Sequence, residues 1–116
     1  EKSRGLAGSA FGVVGLETAF PVLYTHLVRT GILSLELLLE RMVWAPRRRF
    51  GLPCDPESVG LSLWDLSAAR PTDPAEFLSM GHATPFAGDM LYGINRMTLW
   101  HGQAVYSATD GKESAQ

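Results

Sequence analysis

Pro21 fixes where the first helix of this chain can begin. A proline has no N–H for the i→i−4 bond, and its ring strikes the turn before it, so it is tolerated only in a helix's first turn. Ala19, Val22, Leu23, His26 and Leu27 recur near helical spacing, which predicts a helix over 18–29. Its start then falls near Thr18, a residue type that caps helix N-termini. Arg29 lies in the last turn and Gly31 closes it. Upstream, Phe11-Gly12-Val13-Val14-Gly15-Leu16-Glu17 reads as a loop. Gly12 and Gly15 have no Cβ, so main-chain N–H and C=O groups there can approach a ligand closely. The helix behind has the apolar bulk to hold such a loop in place.

The other elements follow by the same rules. Ser34 is placed to cap a second helix over 35–43, in which Leu35, Leu38, Leu39 and Met42 form one stripe. Pro46 suits the first position of a separate, short third helix that ends at Gly51. After Pro53 the pattern changes. Leu61-Ser62-Leu63-Trp64-Asp65-Leu66 alternates like a strand, and residues 94–106 give two strands joined at His101-Gly102. Asp73 to Leu78 reads as one helical turn, Thr84-Pro85-Phe86-Ala87-Gly88 as an ordered loop, and Ser107 onward as a polar tail. Helices followed by three or four strands give an α-then-β order. The helices have broad apolar faces and no sheet, and the strands have few partners. Both halves are therefore expected to be ends of larger units. A first residue of Glu, with no signal peptide after it, supports the same expectation.

Composition narrows the classes. A formal charge of −2 and a pI near 5.9 leave no basic footprint, so nucleic acid is not an expected partner. Arg47-Arg48-Arg49 reads as a solvated helix face. One cysteine, Cys54, allows no internal disulfide and fits a reducing cytoplasm. The most apolar stretch, residues 31–44, is interrupted by Glu36, Glu40 and Arg41 and falls short of the ~20 apolar residues of a membrane span.

Several motifs together resemble bacterial-type dihydroorotases, zinc amidohydrolases of pyrimidine synthesis. They are Glu1-Lys2 ahead of Phe11-Gly12, then Gly15-Leu16-Glu17-Thr18-Ala19-Phe20-Pro21, Leu23-Tyr24-Thr25-His26 and Phe50-Gly51-Leu52-Pro53. Leu78-Ser79, Gly81, Thr84-Pro85-Phe86-Ala87-Gly88, Tyr92-Gly93 and Gly102-Gln103-Ala104-Val105-Tyr106 continue the match. The departures are Ala10 where the family has Pro, Ala45-Pro46-Arg47 where it has Asn-Pro-Ala, and Val59-Gly60-Leu61 where it has Ala-Asp-Leu.

The resemblance implies an α/β fold: the C-terminal end of a (β/α)₈ TIM barrel plus the C-terminal part of a small β-sandwich. Residues 1–53 would be the last barrel loop and closing helices, 54–107 the sandwich part, and 108–116 a disordered tail. It implies a cytoplasmic enzyme with two zinc ions, cyclising N-carbamoyl-L-aspartate to L-dihydroorotate, as a homodimer or in complex with aspartate transcarbamoylase. The zinc ligands and the catalytic Asp would precede Glu1, so this chain would hold neither catalytic nor metal-binding residues. Phe11 and Gly12 would contact the dihydroorotate ring. Phe11 has a second reading, as an anchor for its own loop.

Other assignments are plainer. His26, His82 and His101 lack metal-ligand spacing, and Cys54 has an acid rather than a base beside it. Glu17 reads as a complement to the helix dipole, and Trp44, Trp64 and Trp100 as core or seam residues. Three rival functions remain: a dihydropyrimidinase- or allantoinase-like hydrolase, a non-catalytic dihydroorotase-like subunit that scaffolds aspartate transcarbamoylase, and an independent small binding domain.

Overall fold

Thr18 stands at the N-cap of α1 (Ala19–Leu23), and Pro21 falls within its first turn, as its missing N–H requires. This is a computed structural model, and it describes residues 12–55 and 60–108. The cap works without the Thr18 hydroxyl, which makes no capping bond. Instead the Gly15 carbonyl accepts from the amides of Thr18 and Ala19 at 3.2 and 2.7 Å. A π-turn over Tyr24–Val28 carries the helix on, with the Arg29 amide donating to the Tyr24 carbonyl at 3.0 Å. Gly31, at φ 79°, ends it.

Ser34 caps α2 (Leu35–Leu39), its hydroxyl accepting from the Leu37 amide. The expected break before a third helix is absent. A π-turn over Glu40–Trp44 joins α2 directly to α3 (Ala45–Phe50). Proline removes one i→i−4 bond and crowds the carbonyl four residues back. The wider π-turn in front of Pro46 absorbs that conflict, so the helix continues instead of restarting. Gly51, in the left-handed conformation, closes α3. The three arginines lie in this last turn. Arg48 pairs with Glu40, and Arg47 donates to the Pro53 carbonyl.

Three strands form one antiparallel sheet in the order β1 (Leu61–Pro71), β2 (Met90–Trp100), β3 (Gln103–Ser107). His101 and Gly102 both take positive φ, 47° and 75°, as a two-residue hairpin turn demands. The expected helical turn is a 3₁₀ turn, Pro74–Glu76, capped by Asp73. The 84–88 loop is held by Phe86 N–H to Thr84 Oγ1 and Gly88 N–H to the Thr72 carbonyl. Pairing runs past the expected start of the tail. Ser107 is in β3 and the Ala108 amide donates to the Arg96 carbonyl; residues 109–116 lie outside the described residues. The result is an α/β unit in the expected helices-then-strands order.

β1 is not the simple alternating strand its sequence suggests. Between Asp65↔Ile94 and Ala69↔Tyr92 it carries Leu66, Ser67 and Ala68 opposite the single residue Gly93. Asp65 holds this bulge. Its Oδ1 accepts from the Ser67 amide, the Ser67 hydroxyl and the Ala68 amide at 2.8–3.1 Å, and Arg96 donates to its Oδ2 at 3.1 Å. The Ser67 hydroxyl and then Arg96 draw the Asp65 pKa down from 3.8 to about 2. A depressed carboxylate pKa stabilises the fold above the unfolded-state value, and that contribution is lost as pH falls through the folded-state value. Asp65→Asn is therefore expected to lower the urea midpoint of the full-length protein at pH 7. The gap to the parent should close as pH drops from about 5 towards 2, and a pH series of urea midpoints checks it.

α1 and its π-turn lie against β2 at Gly93. The ideal Cβ position of Gly93 is 3.4 Å from the Phe20 ring and 3.7 Å from the Tyr24 ring. Phe20 also packs on Tyr24 and Trp64, with centroids 5.9 and 4.7 Å apart. The Thr25 hydroxyl accepts from the Tyr92 amide at 2.8 Å, and the Arg29 guanidinium sits 3.5 Å above the Tyr92 ring. An i→i+5 turn makes residues five apart near neighbours. That is how Phe20, Tyr24 and Thr25 come to share the face turned to β2.

Little of the chain is enclosed. Among the described residues Leu38 and Leu91, 3% and 5% exposed, are the buried apolar side chains. Leu16, Leu78 and Met80 are 90%, 84% and 99% exposed. Trp44 and Trp100 are also exposed, so of the three tryptophans it is Trp64 that lies in a seam here. No helix among the described residues is long and apolar enough to cross a membrane.

Candidate functional site

The loop ahead of α1 is tied down from the far end of the sequence. The Val14 amide donates to the Ala83 carbonyl at 2.8 Å. The Glu17 carboxylate accepts from the Ser79 amide at 2.9 Å, and the Ser79 hydroxyl lies 2.8 and 3.0 Å from its two oxygens. Between these ties Gly81 packs on Val14 so closely that a Cβ there would sit 2.9 Å from Val14 Cγ2. Residues 14–17 are thus laid along residues 79–83 by two polar contacts and one apolar contact.

This changes the reading of Glu17. It stands one residue before the N-cap, outside the first turn, and its oxygens are taken up by Ser79 rather than by free helix amides. Burial raises its pKa, but the bonds from the Ser79 hydroxyl and amide outweigh that and leave it below the ordinary value. The group is therefore an anionic acceptor near neutral pH, which suits a tether and not a proton donor.

Of the two expected ligand contacts, Phe11 lies outside the described residues. Gly12 is exposed, and an added Cβ would meet nothing within 4 Å. A cavity of about 440 Å³ opens between the start of α1 and the sheet, lined by Glu17, Pro21, Trp64, Leu91 and Asn95 among others. Gly12 is not part of its wall. Asn95 donates to Thr98 Oγ1 at 3.0 Å, while its buried Oδ1 has no hydrogen-bond partner among the described residues.

The three histidines have separate settings. His26 is in the π-turn of the first helix, His82 holds the Pro74 carbonyl through Nδ1, and His101 stands edge-on to Trp100 in the hairpin turn. Among the described residues no group of three His, Cys, Asp or Glu side chains could hold a metal ion. Cys54 is exposed, its Sγ 3.7 Å from the Leu52 carbonyl.

Comparison with known proteins gives a consistent answer. The chain is 46% identical over 110 residues to a dihydroorotase of Shouchella clausii and 44% identical over 110 residues to one of Geobacillus sp. strain WCH70. Each alignment covers 91% of the chain and 26% of the relative. The chain is homologous to the bacterial dihydroorotases. A third, from Bacillus cytotoxicus, is 40% identical over 119 aligned positions, 99% of the chain and 27% of that relative. The chain thus spans about a quarter of the length of the curated dihydroorotases it matches. No family model matches it.

The motifs on which the resemblance was drawn fall at joints of the fold. In Gly15–Pro21 the Gly15 carbonyl closes the helix start, Glu17 grips Ser79 and Phe20 fills the seam over Gly93. Thr25 docks the π-turn on β2, and Thr84 shapes the 84–88 loop. The Glu17–Ser79 contact has no local signal, since the two residues are 62 positions apart. Leu78-Ser79 stood out only through the resemblance.

Proposed function

We propose that this chain is the C-terminal segment of a bacterial dihydroorotase. The whole enzyme would interconvert N-carbamoyl-L-aspartate and L-dihydroorotate in pyrimidine synthesis, in the cytoplasm. The carrying observation is 46% identity to a dihydroorotase across 91% of the chain. In this reading residues 1–53 are the last barrel loop and closing helices, and 54–107 belong to the sandwich. A barrel takes about 250 residues, and relatives roughly four times as long as this chain have room for one. Exposed Leu16, Leu78 and Met80 are then surfaces for the rest of the polypeptide, as apolar patches of this kind commonly are.

The part this chain plays is binding, not bond-making. The main chain at Phe11 and Gly12 would pair with the imide edge of dihydroorotate, a task for backbone groups that no side chain screens. Zinc in the whole enzyme would be held by residues outside this chain and would supply a nucleophile from bound water. The residues here contribute loop position and closure of the fold.

Assaying the full-length protein on L-dihydroorotate, dihydrouracil and allantoin tests the reading. The expected result is turnover of dihydroorotate well above the other two. Preference for dihydrouracil or allantoin would move the assignment to a related cyclic-amide hydrolase. No turnover of any of them would favour a non-catalytic, scaffolding subunit.

A further inference from the structure

The cavity between the start of α1 and the sheet opens onto an apolar rim. Leu16, Leu78 and Val105 belong to its wall, yet they are 90%, 84% and 60% exposed. A small molecule seated in about 440 Å³ would leave most of that rim in water. β3, which brings Val105 and Tyr106 to the same wall, pairs on one side only, with β2. An outer strand of this kind offers main-chain N–H and C=O groups that another stretch of polypeptide can take up. Asn95 of β2 adds a specific need. Its amide N–H is given to Thr98 Oγ1 at 3.0 Å, and its buried Oδ1 has no hydrogen-bond partner among the described residues. Native proteins rarely leave a buried acceptor bare, because it has given up its bonds to water.

We propose that this cavity seats a segment of the same polypeptide from outside this chain. The segment packs apolar side chains on Leu16, Leu78 and Val105 and brings an N–H or O–H to Asn95. This rests on reading the chain as one part of a longer dihydroorotase. Relatives roughly four times its length have ample polypeptide to fill the cavity. A segment tethered in the same molecule also docks at a far higher effective concentration than a separate partner. Asn95 then sets register at this joint. Apolar contact supplies the strength, and the one bare acceptor selects the alignment that brings a donor to it, as a lone buried polar residue does in other interfaces.

The test uses the full-length protein with Leu78→Cys and Val105→Cys made singly. Labelling of each new cysteine by a charged maleimide is followed by peptide mass spectrometry, in buffer and in urea. Both positions are expected to label at least about a hundredfold more slowly in the folded protein than in urea, although both stand exposed in this chain. Asn95→Leu and Asn95→Asp are then added to Leu78→Cys. Asn95→Leu leaves the incoming donor without an acceptor and should quicken labelling about tenfold. Asn95→Asp keeps an acceptor and should stay nearer the parent.

Labelling in buffer as fast as in urea overturns the proposal, since the cavity would then stand open in the intact molecule. Protection that fades on dilution would assign the cover to a second copy, and protection lost on dialysis to a small ligand; either overturns it. If no donor reaches Asn95, removing its bare acceptor costs nothing, so slower labelling in Asn95→Leu than in Asn95→Asp overturns the register role. Turnover of L-dihydroorotate is measured on the same samples. Protected cysteines in a protein without turnover would fail the activity and leave the docking in place. Turnover with freely labelled cysteines would sink the docking alone.

Discussion

Gly93→Val is expected to cost the full-length protein about 3 kcal/mol of stability, read as a lower urea midpoint with an unchanged slope. Two separate effects add. Gly93 has φ 90°, where a β-branched residue is strained by about 1–2 kcal/mol. Its Cβ would also start 3.4 Å from the Phe20 ring, so the two valine methyls have to displace that ring or lift α1 from the sheet. Overpacking of this sort costs about 1–3 kcal/mol. The glycine is demanded from both sides, because Gly93 also stands alone opposite the bulge at Leu66–Ala68. A midpoint within error of the parent would mean that helix and sheet separate here at no cost, contrary to the packing described.

The sequence showed most plainly what depends on neighbours in the chain. Pro21 and Ser34 placed the helix starts, Gly31 and Gly51 the ends, and His101-Gly102 the hairpin, each because a backbone rule acts over a few residues. Pro46 misled for the same reason. It reads as a start signal, and only the π-turn before it lets the helix run through. The bulge was hidden because Asp65 looks like the polar member of an alternating strand until Arg96 and Ser67 are brought to it. The site was less legible still. Gly12 could be named only as a place where bare backbone is open to a ligand, and what holds its loop is Ser79 and Ala83, reached only once the fold is closed. Motif resemblance marked Glu17 and Ser79 without saying that they meet.

Phe20→Ala should cost about 2–3 kcal/mol, somewhat below the 3–5 kcal/mol of a fully enclosed phenylalanine, because this ring is half-buried. The ring joins three elements at once: it stacks on Tyr24, tilts against Trp64 of β1 and covers Gly93 of β2. Removing it leaves Thr25 and Arg29 to hold the helix on Tyr92. A double-mutant cycle with Gly93→Val separates the ring contact from backbone strain. With Phe20 present, Gly93→Val should cost both the strained φ and the crowding of its two methyls. With alanine at position 20 only the φ cost should remain, so the pair should be less destabilised than the sum of the singles. Strict additivity would show that Gly93 is needed for its backbone alone and that the ring does not press on it.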